Sequence, residues 1–167
     1  MQEGYGTLYL CPTPIGNLED ITLRALKILR QVDFIAAEDT RVTVKLLNHY
    51  DIKTPLVSYH EHNQRQKGPE IIRLLLKGKN VALVTDAGTP GISDPGEDLV
   101  KLAVGEGIPV VPLPGAVAAV CALVASGLST DRFVFEGFLP RKPKERKQRL
   151  AQIAAEPSTI VFYEAPH

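Results

Sequence analysis

The sequence predicts an α/β protein: a mostly parallel five-stranded sheet with helices on both faces, followed by the start of a second α/β domain. Three observations carry this expectation. Short apolar runs alternate with longer amphipathic ones, which is the rhythm of repeated strand–helix units. The short runs are rich in Val, Leu, Ile or Tyr and are bounded by turn residues. Among the 167 residues, 44% are hydrophobic and 23% charged, so the chain can build a buried core.

The strand candidates are Thr7–Cys11, Phe34–Ala37, Leu56–Tyr59, Val81–Thr85 and Pro109–Val111. Between them, Asp20–Arg30 sets Ile21, Ala25, Leu26 and Leu29 on one helical face, and Val42–His49 does the same with Val42 and Leu46. A third helix ends near Lys77, its start obscured by Gly68-Pro69. The fourth has a clear beginning: Asp94 as cap, Pro95 in the first turn and Glu97 three residues after the cap. The fifth, Ala116–Ser126, is apolar nearly all round and is expected to be buried on several sides, with Gly127 as its stop. Past Ser129, Phe133–Glu136 and Thr159–Tyr163 read as strands around a charged segment. Such a strand–helix–strand unit is too small to cover its own faces. The expected division is therefore residues 1–129 as an N-terminal α/β domain and residues 130–167 as the incomplete beginning of a C-terminal one.

Several function classes lose support. Basic and acidic residues number 19 each, so any nucleic-acid contact needs a local basic patch. The two cysteines, Cys11 and Cys121, stand in apolar surroundings and read as reduced, buried thiols without metal-type spacing. The opening residues show no secretory signal pattern, and the longest apolar run, 116–125, is about half a membrane span. A cytoplasmic location is expected. Neither a P-loop nor a G-x-G-x-x-G fingerprint after the first strand is present.

Glycine and proline crowd three loops that follow the first, fourth and fifth strands: 12–17, 86–96 and 112–115. In a parallel sheet these loops lie at the ligand-binding end, where glycine admits a ligand close to the backbone and proline holds the loop open. Tight turns alone are the plainer explanation for one such loop; three at the same end favour a site.

Pro12-Thr13-Pro14-Ile15-Gly16-Asn17-Leu18-Glu19-Asp20-Ile21-Thr22 resembles the opening signature of the ribosomal RNA small subunit methyltransferase I family, within the tetrapyrrole methylase superfamily. Glu38-Asp39-Thr40-Arg41, Ser58 through Asn63, Asp86 through Gly96, Pro112 through Gly115, Glu136 through Pro140 and Phe162 through His167 resemble its later blocks, in order. The resemblance implies methylation of a cytidine ribose 2′-hydroxyl in the decoding region of 16S ribosomal RNA in the small ribosomal subunit. It also implies S-adenosyl-L-methionine as cofactor, no metal, and a cleft between two α/β domains of a homodimeric full-length enzyme. Family members have a longer C-terminal part. Two other readings stay open: a small-molecule, tetrapyrrole-type methyltransferase, and an inactive fragment that only binds cofactor or RNA.

Strand-end position and the resemblance together assign Gly16, Asp86, Ala87, Gly88, Ile92, Gly115 and Ala116 to the cofactor pocket. A ribose hydroxyl is weakly acidic, so a base or a charge near it is expected to help. The candidates are Asp39, His60, Glu38 and Arg41, with Asp39 or His60 assisting deprotonation. The plainer reading of the acidic group is a charged helix start with Asp39 or Thr40 as cap. Arg141, Lys142, Lys144, Arg146, Lys147 and Arg149 are the candidates for RNA backbone, against the alternative of a solvated helix face.

Overall fold

In a computed structural model, residues 4–165 are described; Pro166 and His167, the last two residues of the final resembling block, lie outside them. The chain divides into two compact units, residues 1–116 and 117–167, so the helix after the fifth strand groups with the second unit.

The first unit holds one sheet of order β3-β2-β4-β1-β5. Its strands are β1 (Leu8–Leu10), β2 (Phe34–Ala37), β3 (Leu56–Ser58), β4 (Val81–Val84) and β5 (Val110–Pro112). Every neighbouring pair is parallel. Helices α1 (Leu23–Gln31), α2 (Thr40–His49), α3 (Gln64–Leu76) and α4 (Gly96–Gly105) cover it.

Period-two alternation sends side chains to two separate cores. Ile35, Ala37, Ala82 and Val84 pack with Ala25, Leu26 and Leu29 of α1 and Leu46 and Leu47 of α2. Ala36, Val81 and Leu83 pack on the other face with Ile71, Ile72 and Leu75 of α3 and Leu99 and Ala103 of α4. The chain therefore leaves β1 toward one face and its neighbour β4 toward the other. That reversal opens a crevice beyond the carboxyl ends of β1 and β4, where open α/β sheets bind ligands.

Several helix starts differ from the sequence expectation. The first helix is split: Leu18–Asp20 forms a 3-10 turn, and α1 begins after Thr22, whose hydroxyl accepts from the Ala25 N–H. Thr22 is the better cap because its oxygen satisfies an otherwise unpaired N–H. Helix α3 runs through Gly68-Pro69, and buried Gly68 lets Leu102 approach closely. At α4 the helix starts at Gly96 with Pro95 in the cap position and no side-chain cap bond, one residue later than expected, although Asp94 Oδ1 accepts from the Gly96 N–H at 2.7 Å.

The second unit contains α5 (Ala118–Ala125) and a parallel pair, β6 (Phe133–Phe138) and β7 (Thr159–Tyr163), joined by α6 (Pro143–Ile153). Two expectations are corrected here. Helix α5 is not buried on several sides: only Ala119 and Leu123 are buried, while Val120 and Val124 are exposed. Apolar character all round states what a helix could bury, and only one stripe of α5 has neighbours. Cys121 is accordingly exposed, whereas Cys11 is buried and desolvation pushes its thiol up to about 12. No helix among the described residues is long and apolar enough to cross a membrane.

Candidate active site

The three glycine- and proline-bearing loops meet at one rim and are tied to each other pairwise. Thr13 and Gly88 exchange backbone hydrogen bonds of 2.9 and 3.1 Å, joining the loops after β1 and β4. The Thr89 hydroxyl donates to the Ala116 carbonyl at 2.9 Å, joining the loops after β4 and β5. Gly115 lies so close to Pro12 that a Cβ there would fall 2.4 Å from the proline Cβ, which locks the loop after β5 against that after β1. Gly88 has φ +88°, a conformation that a side chain would strain. Of the predicted cofactor residues, Gly88, Gly115 and Ala116 thus build the rim itself. Asp86, Ala87 and Ile92 are exposed along it, and nothing stands within 4 Å of where a Cβ of Gly16 would lie.

Beside this rim lies an open acidic trough of about 580 Å³ that brings together Glu38, Asp39, His60 and Asp86, with Asp94 and Asp98 on its far wall. The strand ends explain the gathering: Glu38 follows β2, His60 follows β3 and Asp86 follows β4, and all three strands run the same way.

Each acidic group is held differently. Asp39 caps α2, accepting from the Arg41 N–H at 2.8 Å, and pairs with the Arg41 guanidinium at 2.6 Å. Those hydrogen bonds draw its carboxyl down to about 2. The Glu38 carboxylate accepts from the Thr85 hydroxyl at 2.7 Å, and the Thr13 hydroxyl donates to the Thr85 carbonyl at 3.0 Å. Asp86 Oδ1 accepts from the Asp39 N–H at 3.1 Å. Desolvation, then the charge of Glu38, raises the Asp86 carboxyl above its ordinary value. Asp94 is raised too, chiefly by desolvation, although it accepts from the Gly91 and Gly96 N–H groups.

The His60 backbone N–H donates to Asn63 Oδ1 at 2.9 Å, while its ring Nδ1 is buried without a hydrogen-bond partner among the described residues. His62 stands beside it, ring centroids 5.9 Å apart. No group of three or more metal-ligating side chains occurs among the described residues.

Thr13 and Thr85 were not singled out from sequence. Both are buried polar residues at the ligand ends of β1 and β4. A β-branched hydroxyl just past a strand, facing the first residue of a glycine loop, is the signal that marks them.

The basic segment forms α6, and half of its candidates are already engaged. Arg149 makes a two-pronged pair with Glu136, Arg146 pairs with Glu164 at 3.3 Å, and Lys142 pairs with Glu145 at 3.1 Å. Arg141, Lys144 and Lys147 are exposed and form no salt bridge among the described residues.

Ribosomal RNA small subunit methyltransferase I of Halalkalibacterium halodurans is 59% identical over 166 residues, covering 99% of this chain and 57% of that protein. The Bacillus subtilis protein of the same name is 59% identical over 162 residues, covering 97% and 56%. The chain thus spans somewhat more than half the length of these curated relatives. Among solved structures, uroporphyrin-III-C-methyltransferase from Thermus thermophilus aligns with a TM-score of 0.59 at 25% identity, over 81% of this chain and 64% of that one. A diphthine synthase aligns with a TM-score of 0.73 at 15% identity, over 97% and 65%, a likeness of fold. The model of the tetrapyrrole (corrin/porphyrin) methylases matches residues 7–167, and the chain belongs to that family.

Proposed function

We propose that this chain carries the donor-site rim and acceptor-side residues of an S-adenosylmethionine-dependent methyltransferase. Its substrate is the ribose 2′-hydroxyl of a cytidine in the decoding region of 16S ribosomal RNA. The observation that carries this reading is the tying of three loops into one rim beside an acidic trough. A rigid rim suits a reaction whose main demand is alignment of methyl donor and acceptor oxygen. The names of relatives at 59% identity favour ribosomal RNA over a tetrapyrrole, since the uroporphyrin-III-C-methyltransferase stands at 25%.

The residues fit a cationic donor. Backbone at Gly16, Gly88, Gly115 and Ala116 offers N–H and carbonyl groups to its adenosine and methionine parts, with Ala87 and Ile92 giving apolar contact. Asp86, exposed and bonded among the described residues by one backbone N–H, offers a carboxylate to positive charge. When bound, the donor supplies an electrophilic methyl on a sulfonium.

On the acceptor side, the imidazole of His60, which lines the trough and forms no ring hydrogen bond among the described residues, takes the 2′-hydroxyl proton. Asp39 is the poorer base: its carboxylate is engaged by Arg41 and its carboxyl sits at about 2. Glu38, fixed by Thr85, stabilises the imidazolium that forms. Arg141, just before α6, and Lys144 and Lys147 on it are the RNA-backbone contacts that remain available, and the full-length protein acts as a homodimer in the cytoplasm.

The test is transfer of labelled methyl from S-adenosylmethionine to small ribosomal subunits, with titration calorimetry of the cofactor alongside. Label on a cytidine 2′-oxygen of 16S RNA is expected. Label on a base, or cofactor binding abolished by none of Asp86→Ala, Gly88→Val and Gly115→Val, would overturn the reading.

A further inference from the structure

A second cavity lies beside the acidic trough, between the loop after β1 and helix α2, with a volume of about 220 Å³. The two share Asp86 in their walls. Of the residues assigned to the donor and to proton removal, Asp86 alone borders this cavity. We infer that it holds the nucleobase of the acceptor nucleotide, and that it selects a base with an exocyclic amino group. This inference rests on the ribosomal RNA reading and deepens it.

Size excludes the cofactor. Pockets for drug-sized ligands run from roughly 300 to 1,000 Å³, so 220 Å³ suits one heterocycle and not a nucleoside joined to an amino acid. The walls suit a flat neutral ring: Leu18, Val42 and Leu46 are apolar, and Thr13, Thr43 and Thr85 are the buried polar residues among them. A base that leaves its stack to enter a pocket gives up stacking, and an apolar slot compensates for that loss.

Hydrogen-bond polarity selects the base. The Thr13 hydroxyl donates its hydrogen bond to the Thr85 carbonyl, and the Thr85 hydroxyl donates its own to Glu38. Each hydroxyl has a single proton, so what both still offer is lone pairs. Asp86 adds a carboxylate at the border. On the strand-end side, the Thr13 and Thr85 lone pairs and the Asp86 carboxylate take an amino group, as on N4 of cytosine, and reject the carbonyl oxygen that uracil carries there, while the Thr43 hydroxyl on the α2 side keeps a donor for a ring carbonyl. Lys45 is exposed at the cavity wall, placed for the phosphate of the same nucleotide. With the base in this cavity, the shared Asp86 wall puts the ribose at the trough that holds His60 and Glu38.

The experiment is methyl and amide NMR of this chain titrated with cytidine and, separately, with uridine. Saturable shifts at Leu18, Val42 and Leu46 are expected with cytidine, and uridine is expected to bind about tenfold more weakly. Val42→Phe, at a half-exposed position, fills the cavity and should abolish the cytidine shifts while the remaining spectrum stays folded. Equal response to both nucleosides, shifts that map elsewhere, or no shifts at all overturns the inference. Filter binding of 16S RNA and calorimetry of S-adenosylmethionine are run on the same samples. If both ligands bind while cytidine leaves the cavity methyls unmoved, the base pocket alone is wrong; if neither binds, the ribosomal RNA reading fails as well.

Discussion

The Thr85 hydroxyl donates to Glu38 Oε2 at 2.7 Å, bridging the ends of the adjacent strands β4 and β2. Thr85 is 8% exposed and its carbonyl is in turn bonded by Thr13, so the donor is fixed on a chain reaching back to the loop after β1. A carboxylate at the end of a central strand is thereby held in one orientation, beside the raised carboxyl of Asp86.

Thr85→Val keeps the shape and removes the donor. Hydrogen bonds to charged groups contribute about 1.5–3 kcal/mol, so a loss near the lower end is expected, because Glu38 keeps access to the trough. Urea denaturation measures it, and Thr85→Ser should restore most of the loss. A Val variant as stable as the parent would show that the carboxylate gains nothing from the threonine.

Asp86 should make stability depend on pH in the sense opposite to Asp39. Its folded carboxyl is raised above 3.8, so its folded state holds the proton more tightly than the unfolded chain does. Relative stability is then fully present below 3.8 and declines as pH rises through the folded value. Asp39 is lowered to about 2, so its contribution is present above 3.8 and is lost as pH falls toward 2. Asp86→Asn can still accept from the Asp39 N–H through its amide oxygen. It is expected to be at least as stable as the parent at pH 7, to lose the decline above pH 3.8, and to bind S-adenosylmethionine more weakly. Thermal melts from pH 3 to 7 and calorimetry separate the two effects; weaker stability at pH 7 would contradict the sign.

Asp39 holds the start of α2. Asp39→Ala should lower stability through loss of the capping oxygen, and Asp39→Asn much less. If Asp39 were instead needed as a charge for chemistry, Asn would fold normally and still fail in methyl transfer, so stability and transfer are measured on both variants.

The order of strands and helices was legible because the strands alternate in register with two cores: Ile35 and Ala37 to one side, Phe34 and Ala36 to the other. The meeting of the three loops was legible for the same reason, since parallel strands put all their carboxyl ends at one rim. Helix α5 was not, because sequence states how apolar a residue is and not whether a neighbour reaches it; Val124 is 70% exposed. The base cavity was also hidden. Its walls come from the loop after β1, from α2 and from the end of β4, and only tertiary packing brings Leu18, Val42 and Thr85 together. The hydroxyl polarity that gives the cavity its selectivity depends on where Thr13 and Thr85 send their protons, which no spacing records.

Gly115→Ala should loosen the rim. The added methyl would meet Pro12 at 2.4 Å, against proline ring atoms that have little room to yield. Overpacking of this kind costs roughly 1–3 kcal/mol. Because the contact joins the loops after β5 and β1, cofactor affinity is expected to fall by more than the loss of stability alone explains. Calorimetry well below the melting temperature reads that excess; unchanged affinity would separate the Gly115–Pro12 contact from the donor site.

The basic residues of α6 should fall into two groups. Glu136 is 11% exposed at its side chain and relies on the Arg149 guanidinium, with contacts of 2.6 and 2.8 Å. Arg149→Gln strands that carboxylate and should destabilise the second unit by about 1–3 kcal/mol, with little effect on how RNA binding responds to salt. Lys144→Gln and Lys147→Gln break no salt bridge, so stability should hold. Each lysine that neutralises a phosphate should, once replaced, reduce the slope of log affinity against log salt by about 0.7 to 0.9. Filter binding of 16S RNA across a salt series gives that slope. An unchanged slope in the double lysine variant would assign α6 to a solvated face, and a reduced slope in Arg149→Gln would show that its pair with Glu136 opens when RNA binds.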